Sequence, residues 1–545
     1  MSERDHLLAE ITDNISRKDV IKARLVLTHL QHVDGTAREQ VLGAFSTADP
    51  DFAVPGLAWF LTEHSDMALS HPRVREILAT KILAIPELAS RAIRDPSTPH
   101  RRICVSMAGE LRLTSTVPDL LEALRKSTDT EEMQQIIDVL GDLGDDRGTD
   151  ALGDVLCSHH RGLVISAISA LGKIGTSTAM LRLGERMGSD SQLDLLALNV
   201  FAKVQDSISL ENLNASMRSQ FVHVRTCAKK NLIHIGSKAV PMLAENLCSG
   251  DPDVQIHSLN VLGDIGDPAA IAPIRKLLHS HPENPNVRFA AYEALGLLPL
   301  NREAFVLTRG LSDPVEHVCI AAARAIDRNL NGIMHAGIKN LALDRKEDAH
   351  RILRAVIQAQ AANLFLSLVS EKKLQETARD LLSRAHPDIR VFFHGILRTH
   401  GHAELLTQLL TPAPECRARK RVCAVDDSRM ILNIYKSTLH ELGYDSLLFE
   451  FPARALEWMG AEKPDIVLTD LNMPDISGIE LCRQIRARYG KTELPVIMVT
   501  TQNGFNDNEA AFAAGVNEIL QKPFTRRALH EAIKRHLEQP AEKDR

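Results

Sequence analysis

A short sequence recurs along the chain and limits what it can fold into. Leu140-Gly-Asp-Leu-Gly, Leu171-Gly-Lys-Ile-Gly, Leu262-Gly-Asp-Ile-Gly and Leu295-Gly-Leu-Leu-Pro resemble one another, and Leu232-Ile-His-Ile-Gly fits with one change. Where neighbouring copies can be compared, the period is roughly 30 to 33 residues, within the range of helical solenoids. A degenerate copy is required near Phe201-Ala-Lys-Val, and Ala108-Gly109 and Ile326-Asp327 mark weaker copies on either side. Val74, Arg75 and Leu78 read as one eroded copy further upstream.

Each copy also carries a helix face. Leu163, Val224, Val254, Val287 and Val318 stand nine residues before the glycine position. Four residues on come Ala167, Ala228, Ser258, Ala291 and Ala322, and four beyond those Leu171, Leu232, Leu262, Leu295 and Ile326. Steps of four put the three columns on one face, and a small residue in the middle column lets a neighbouring helix come close. The glycines end the helix, because glycine accepts the left-handed conformation of a C-terminal cap. Asp251-Pro252, Asn284-Pro285 and Asp313-Pro314 read as starts of the following helices. No Gly-Lys-Ser/Thr follows any of these glycines, so none reads as a phosphate loop. His159-His160 and His279-Ser-His281 lack a carboxylate or thiol at ligand spacing and read as solvated loop histidines.

Composition agrees with stacked helices. Aromatic residues are 4% of the 545, while apolar residues reach 44%, enough for repeats built from Ala, Leu, Ile and Val. This length suggests about three to four domains. A formal net charge of -6 gives no basic surface for a phosphate backbone, so nucleic acid is not the expected partner. The eight cysteines are scattered without a Cys-x-x-Cys pair, which suits free thiols in a reducing compartment. The start Met1-Ser2-Glu3-Arg4-Asp5-His6 is acidic, and no apolar run reaches the roughly 18 residues of a membrane span. The expectation is a soluble cytoplasmic protein.

The repeated pattern resembles the HEAT-repeat family in its short variety, clearly from about Glu132 to Asn329. The resemblance implies an all-α solenoid whose concave face binds another macromolecule. Residues 1–100 and 330–400 read as further amphipathic helices.

At Thr411-Pro-Ala-Pro-Glu-Cys-Arg-Ala-Arg-Lys420 the helical pattern stops, and two prolines with basic residues read as an extended linker. Apolar strands then follow at Arg421–Val425, Ser446–Glu450, Asp465–Thr469, Pro495–Thr500 and Asn517–Gln521. Amphipathic helices lie between them, near 429–442, 452–460, 477–489, 505–514 and 525–538. Alternation of this kind predicts an α/β doubly wound parallel sheet, with chemistry at the carboxyl ends of the strands. Asp426-Asp427 follow the first strand, Asp470 the third, Thr500 ends the fourth, and Lys522-Pro523 follow the fifth. Converging carboxylates repel one another, and a hard divalent cation such as Mg²⁺ relieves that repulsion. A carboxylate is also a nucleophile toward phosphorus, with a lysine and a hydroxyl to hold the phosphoryl oxygens.

Asp426-Asp427, Asp470-Leu-Asn-Met-Pro-Asp-Ile-Ser-Gly478, Val499-Thr500 and Lys522-Pro523-Phe524 together resemble the receiver domain of two-component response regulators. The resemblance covers about 420–538 and implies a flavodoxin-like 2-1-3-4-5 strand order. It also implies that Asp470 accepts a phosphoryl group from a histidine kinase or phosphotransfer protein. Asp426, Asp427, Asp470 and the backbone carbonyl of Asn472 would hold Mg²⁺, and Thr500 and Lys522 would hold the phosphoryl group. Pro523 would follow a cis peptide bond. Two positions depart from the family. Ile519 stands where an aromatic usually couples phosphorylation to the output face, and Thr501 stands where alanine is common. Asn472 and Gln502 occupy the positions that tune phosphoryl lifetime.

The expected organisation is therefore a helical region at 1–100 continuous with a HEAT-like solenoid at 101–410, a linker at 411–420, a receiver at 421–538 and a flexible tail at 539–545. The functional expectation is a non-enzymatic response regulator whose phosphorylation alters what protein the solenoid binds. Three alternatives stand beside it: a phosphate sink with the solenoid as scaffold, a phycobilin-lyase-like HEAT enzyme, and nucleic-acid binding.

Overall fold

The computed structural model describes residues 3–31, 33–63, 72–219, 221–409, 419–473, 476–500, 505–522 and 524–538. The chain divides into two units, Met1–Leu213 and Asn214–Arg545. Of the expected linker at 411–420, residues 411–418 lie outside the described residues, as does the expected tail at 539–545.

Among its described residues, Met1–Leu213 is helical wherever it is regular. Consecutive rungs pack on one another, Arg101–Glu110 on Thr130–Leu143, that helix on Arg161–Ile174, and that in turn on Ser191–Val204. The two glycines of each repeat do different work. The second caps the helix: Gly144 and Gly175 sit at φ 65° and 66°, in the left-handed region. The first allows close approach. A Cβ on Gly141 would lie 2.7 Å from Ala170 Cα, and one on Gly172 would lie 2.8 Å from Val200 Cγ1. The sequence reading assigned both glycines to capping, because the neighbouring rung that the first one touches is remote along the chain. In the degenerate copy Gln205 takes the left-handed cap position itself, at φ 57°.

Asn214–Arg545 continues with the same grammar. Val222–Ile235, Pro252–Ile265, Pro285–Leu297, Glu316–Arg328, Lys346–Gln358 and Lys372–Arg384 pack in succession. The three repeat columns are buried throughout, from Val224, Ala228 and Leu232 to Val318, Ala322 and Ile326. Asp251 and Asn284 cap their helices by accepting from the N–H groups of Asp253 and Asn286. At Asp313-Pro314 the helix starts later, at Glu316. There the Asp313 carboxylate is taken by Arg288, at 2.7 and 3.0 Å, and by the Val315 N–H.

The rest of this unit is a five-stranded parallel sheet: β1 Arg421–Val425, β2 Asp445–Phe449, β3 Ile466–Thr469, β4 Val496–Thr500 and β5 Glu518–Gln521. Its order is β2-β1-β3-β4-β5, as the receiver resemblance implies. β1, β3 and β4 are almost wholly buried, which fits their unbroken apolar runs. Helices cover both faces. Ala455, Leu481, Cys482, Ile485 and Ala511 pack on one face of the sheet, and Leu432, Tyr435, Leu439, Leu529 and Ile533 on the other. The reversal of strand order lies between β1 and β3, which sets a crevice beyond their carboxyl ends.

No described helix is long and apolar enough to cross a membrane. The described cysteines are free, and Cys104, Cys319, Cys423 and Cys482 are buried. The paired histidines His159, His160, His279 and His281 are exposed.

The close-approach glycines make a testable point. Gly141→Ala brings its Cβ against the Ala170 backbone, which cannot rotate away, and should destabilise the helical array by about 1–3 kcal/mol. Gly188→Ala meets no atom but has φ 90°, so it should cost about 1 kcal/mol by backbone strain alone. Urea denaturation followed by circular dichroism compares the two.

Candidate functional site

Four strand ends, those of β1, β3, β4 and β5, bring the expected residues together. The Asp426 N–H donates to the Phe449 carbonyl at 3.2 Å, and the Asp470 N–H to Val425 at 3.0 Å, so each backbone is tied to the neighbouring strand. The Lys522 N–H donates to the Thr500 carbonyl at 2.8 Å, which fixes the end of β5 against β4. From these anchors the Lys522 ammonium reaches Asp426 Oδ2 at 2.6 Å and Asp470 Oδ1 at 2.8 Å. The other oxygens are also used. Asp426 Oδ1 accepts from the Ser428 N–H at 2.9 Å, and Asp470 Oδ2 from the Asn472 N–H at 3.0 Å. Asp426, Asp470 and Thr500 are buried, and Asp427 is half-buried at the mouth.

The electrostatics follow from this crowding. Burial pushes the Asp426 carboxyl up to about 7, helped by the Asp470 charge and opposed by Lys522. Burial also raises Asp427, again with help from Asp470. Burial works against the Lys522 charge, but the two carboxylates outweigh it and hold its pKa above the ordinary lysine value. With all groups ionised, three carboxylates less one ammonium leave two negative charges in the crevice. An all-oxygen donor set with that charge fits a hard divalent cation such as Mg²⁺.

Two residues outside the expected set shape the site. A Cβ on Gly478 would collide with the Asp470 carbonyl oxygen, so glycine is required where the loop returns to donate from the Gly478 N–H to Leu471 at 2.9 Å. Tyr435 is wholly buried, and its ring stacks on Phe524 at 5.3 Å and 10°. The sequence signal for Gly478 lay in the motif itself, whereas nothing marked Tyr435 beyond its place on an apolar helix face.

The C-terminal domain and the helical array each have known relatives. The response regulator receiver domain family matches residues 422–534, and HEAT repeats match 85–171, 117–198 and 240–327. Chemotaxis protein CheY1 of Helicobacter pylori strain J99 is 37% identical over 115 residues, which cover 21% of this chain and 93% of that protein. The chain belongs to the response-regulator receiver family. Among solved structures, Vibrio cholerae chemotaxis protein CheY4 is 30% identical, with a TM-score of 0.21 over 22% of this chain and 100% of that one. A two-component system response regulator/GGDEF domain protein is 27% identical, with a TM-score of 0.22 over 22% of this chain, which spans 51% of that protein.

Within the receiver, Ile519 is half-buried and packs against the core on the Leu481 and Ile485 side of the sheet. Thr501, Gln502 and Pro523, each singled out by sequence, lie outside the described residues.

The raised Asp426 pKa sets a pH dependence. Its folded value of about 7 lies above the ordinary 3.8, so the folded receiver holds more protons than the unfolded chain between those limits. This contribution to stability is therefore present at low pH and is lost as pH rises toward and through 7. Thermal melts of the receiver transition in chelator should show that loss. Asp426→Asn should flatten it, and Mg²⁺ added at pH 8 should raise the wild-type melting temperature.

Proposed function

We propose that Asp470 is the phosphoryl acceptor of this response regulator and that Asp426, Asp427, Asp470 and the Asn472 carbonyl hold Mg²⁺. The observation that carries the reading is the Lys522 bridge between Asp426 and Asp470 at the carboxyl ends of parallel strands. In this scheme an Asp470 carboxylate oxygen attacks phosphorus of a phosphohistidine on a histidine kinase or phosphotransfer protein. The P–N bond breaks, and the imidazole leaves carrying the electron pair and takes up a proton. Lys522 gives up its contact with Asp470 and pairs with the new phosphoryl oxygens, while the Thr500 hydroxyl donates to another. Bound Mg²⁺ would neutralise the charge that gathers on those oxygens. Lys522 stays within the crevice through this exchange, held by its contact with Asp426, so only one of its two partners changes as that charge forms.

The helical array is the binding half in this reading. HEAT repeats offer extended surfaces for macromolecules, so its ligand is taken to be a protein. Phosphorylation adds negative charge to a two-state domain and thereby shifts which partner surface is presented.

Incubation with acetyl phosphate and Mg²⁺, followed by intact-mass measurement, should add one phosphoryl group to the wild type and none to Asp470→Asn. Chelation of Mg²⁺ should abolish uptake, and Lys522→Ala should slow it by about a hundredfold or more. Uptake by Asp470→Asn at the wild-type rate would overturn the assignment. A switched output further requires that wild type and Asp470→Ala retain different proteins under phosphorylating conditions.

A further inference from the structure

We propose that the receiver helix Arg429–Glu441 and strand β2 form an intramolecular docking surface, and that its partner is the helical array of the same chain between Glu316 and Asp388. The surface itself does not depend on the phosphotransfer reading; only its coupling to Asp470 rests on that reading.

The first observation is burial on the wrong side. Leu432, Tyr435 and Leu439 face the sheet, as an amphipathic helix should. The opposite positions, Asn433, Lys436, Ser437 and Glu441, are polar and would ordinarily be in water. Yet no residue from Ile431 to Leu442 is exposed. The last receiver helix, Arg526–Leu537, behaves in the ordinary way and exposes Arg527, Glu531, Lys534 and Arg535. β2 is half-buried along its whole length although it is an edge strand.

The second observation is what covers these groups. Arg354 donates to Glu441 at 2.8 Å while its Nε lies 2.5 Å from Glu316. Arg526 of the receiver pairs with the other Glu441 oxygen at 2.9 Å, so one carboxylate joins the array to two receiver helices. One turn back, Lys436 donates to Gln360 Oε1 at 2.9 Å. Beside Glu441, His386 Nε2 meets Asp445 Oδ1 at 3.0 Å, and its ring stacks on His440 at 4.0 Å and 7°. Burial pushes both histidines down, His440 to about 4, so the stack is a neutral one at pH 7.

His386, Asp388 and His440 also have ligand atoms within 4.8 Å of one another. Parallel rings, however, hold their nitrogens in planes that do not meet at one ion. His386 Nδ1 already accepts from the Asp388 N–H at 3.3 Å, and His440 Nε2 meets Ser446 Oγ at 3.0 Å. The cluster is built for packing two surfaces together.

The docked helix begins directly after Asp426-Asp427-Ser428, so the array holds the element that carries one wall of the acidic crevice. At that end the array's Lys229 and Arg225 act on Asp427, and Arg429 acts on Asp264 of the array. From the middle of the same helix Tyr435 stacks on Phe524, two residues past Lys522. Docking and the chemistry at Asp470 thus share one rigid element, which is what reciprocal coupling between two sites requires.

Hydrogen exchange of the full chain, read by mass spectrometry without Mg²⁺ or phosphodonor, tests the surface. Arg354→Glu and Gln360→Lys change only the array. Each should speed exchange in 429–441 and 445–449 by about tenfold or more, the scale of a lost charge-assisted contact. Exchange in β3 and β4 should not move, which reports an intact receiver. Gln360→Glu gives Lys436 a charged partner and should slow exchange in 429–441. Unchanged exchange there in all three variants would overturn the proposal. So would wild-type protection that falls on dilution, since the partner would then be a second copy. Failure of Asp470 to take up phosphate would leave each of these outcomes standing, so the two readings fail separately.

Discussion

The ammonium of Lys522 holds the receiver's chemistry together. Two buried carboxylates at the ends of adjacent strands would repel one another in a low-dielectric crevice. Lys522 lies 2.6 Å from one and 2.8 Å from the other and turns that repulsion into a bridge. The bridge exists because of chain topology. Parallel strands present all their carboxyl ends on one side, so residues nearly a hundred positions apart meet without any local motif joining them. Its cost is also plain. Asp426 retains a pKa near 7 despite the lysine, so one ammonium does not offset the burial of that acid. A site left with surplus negative charge has the donor chemistry that suits a hard divalent cation.

The helical array depends on a different economy, that of contact distance. Its rungs come close because Gly141, Gly172, Gly263 and Gly296 remove the side chain that would separate them. The cap glycines act at the other end of the same motif and set the turn. A single repeated pentapeptide therefore fixes both the end of each helix and the spacing to the next. This explains why the motif is so visible in a sequence whose other array positions drift.

Much of this is legible in the sequence alone. The five strands and the buried columns follow from periodicity, the meeting of Asp426, Asp470 and Lys522 follows from residues at strand ends, and the strand order follows from the receiver resemblance. What escaped is informative. The closeness of Gly141 to Ala170 is a tertiary distance between residues in different repeats, and a capping argument already accounts for a glycine near a helix end. Asp313 still accepts from the Val315 N–H as the other caps do, but its helix begins only at Glu316 and its carboxylate is shared with Arg288, 25 residues upstream, a tertiary partner that the Asp-Pro pair does not announce. Gln205 shows the converse: the left-handed cap can be held by a residue whose identity does not announce it.

The helix Arg429–Glu441 shows where pattern reading must stop. Its apolar stripe correctly predicts the face that packs on the sheet. Its polar stripe says water, because Asn, Lys, Ser, His and Glu on a helix surface are ordinarily solvated. A polar face that is covered by hydrogen-bonding groups looks identical in sequence to one covered by water. Only complementarity tells them apart: Arg354 for Glu441, Gln360 for Lys436, and a neutral imidazole for a neutral imidazole. Each of those partners sits in a repeat region where surface positions carry no pattern of their own. A repeat array preserves its buried columns and frees the rest, and the freed positions are where contact with another fold can be written.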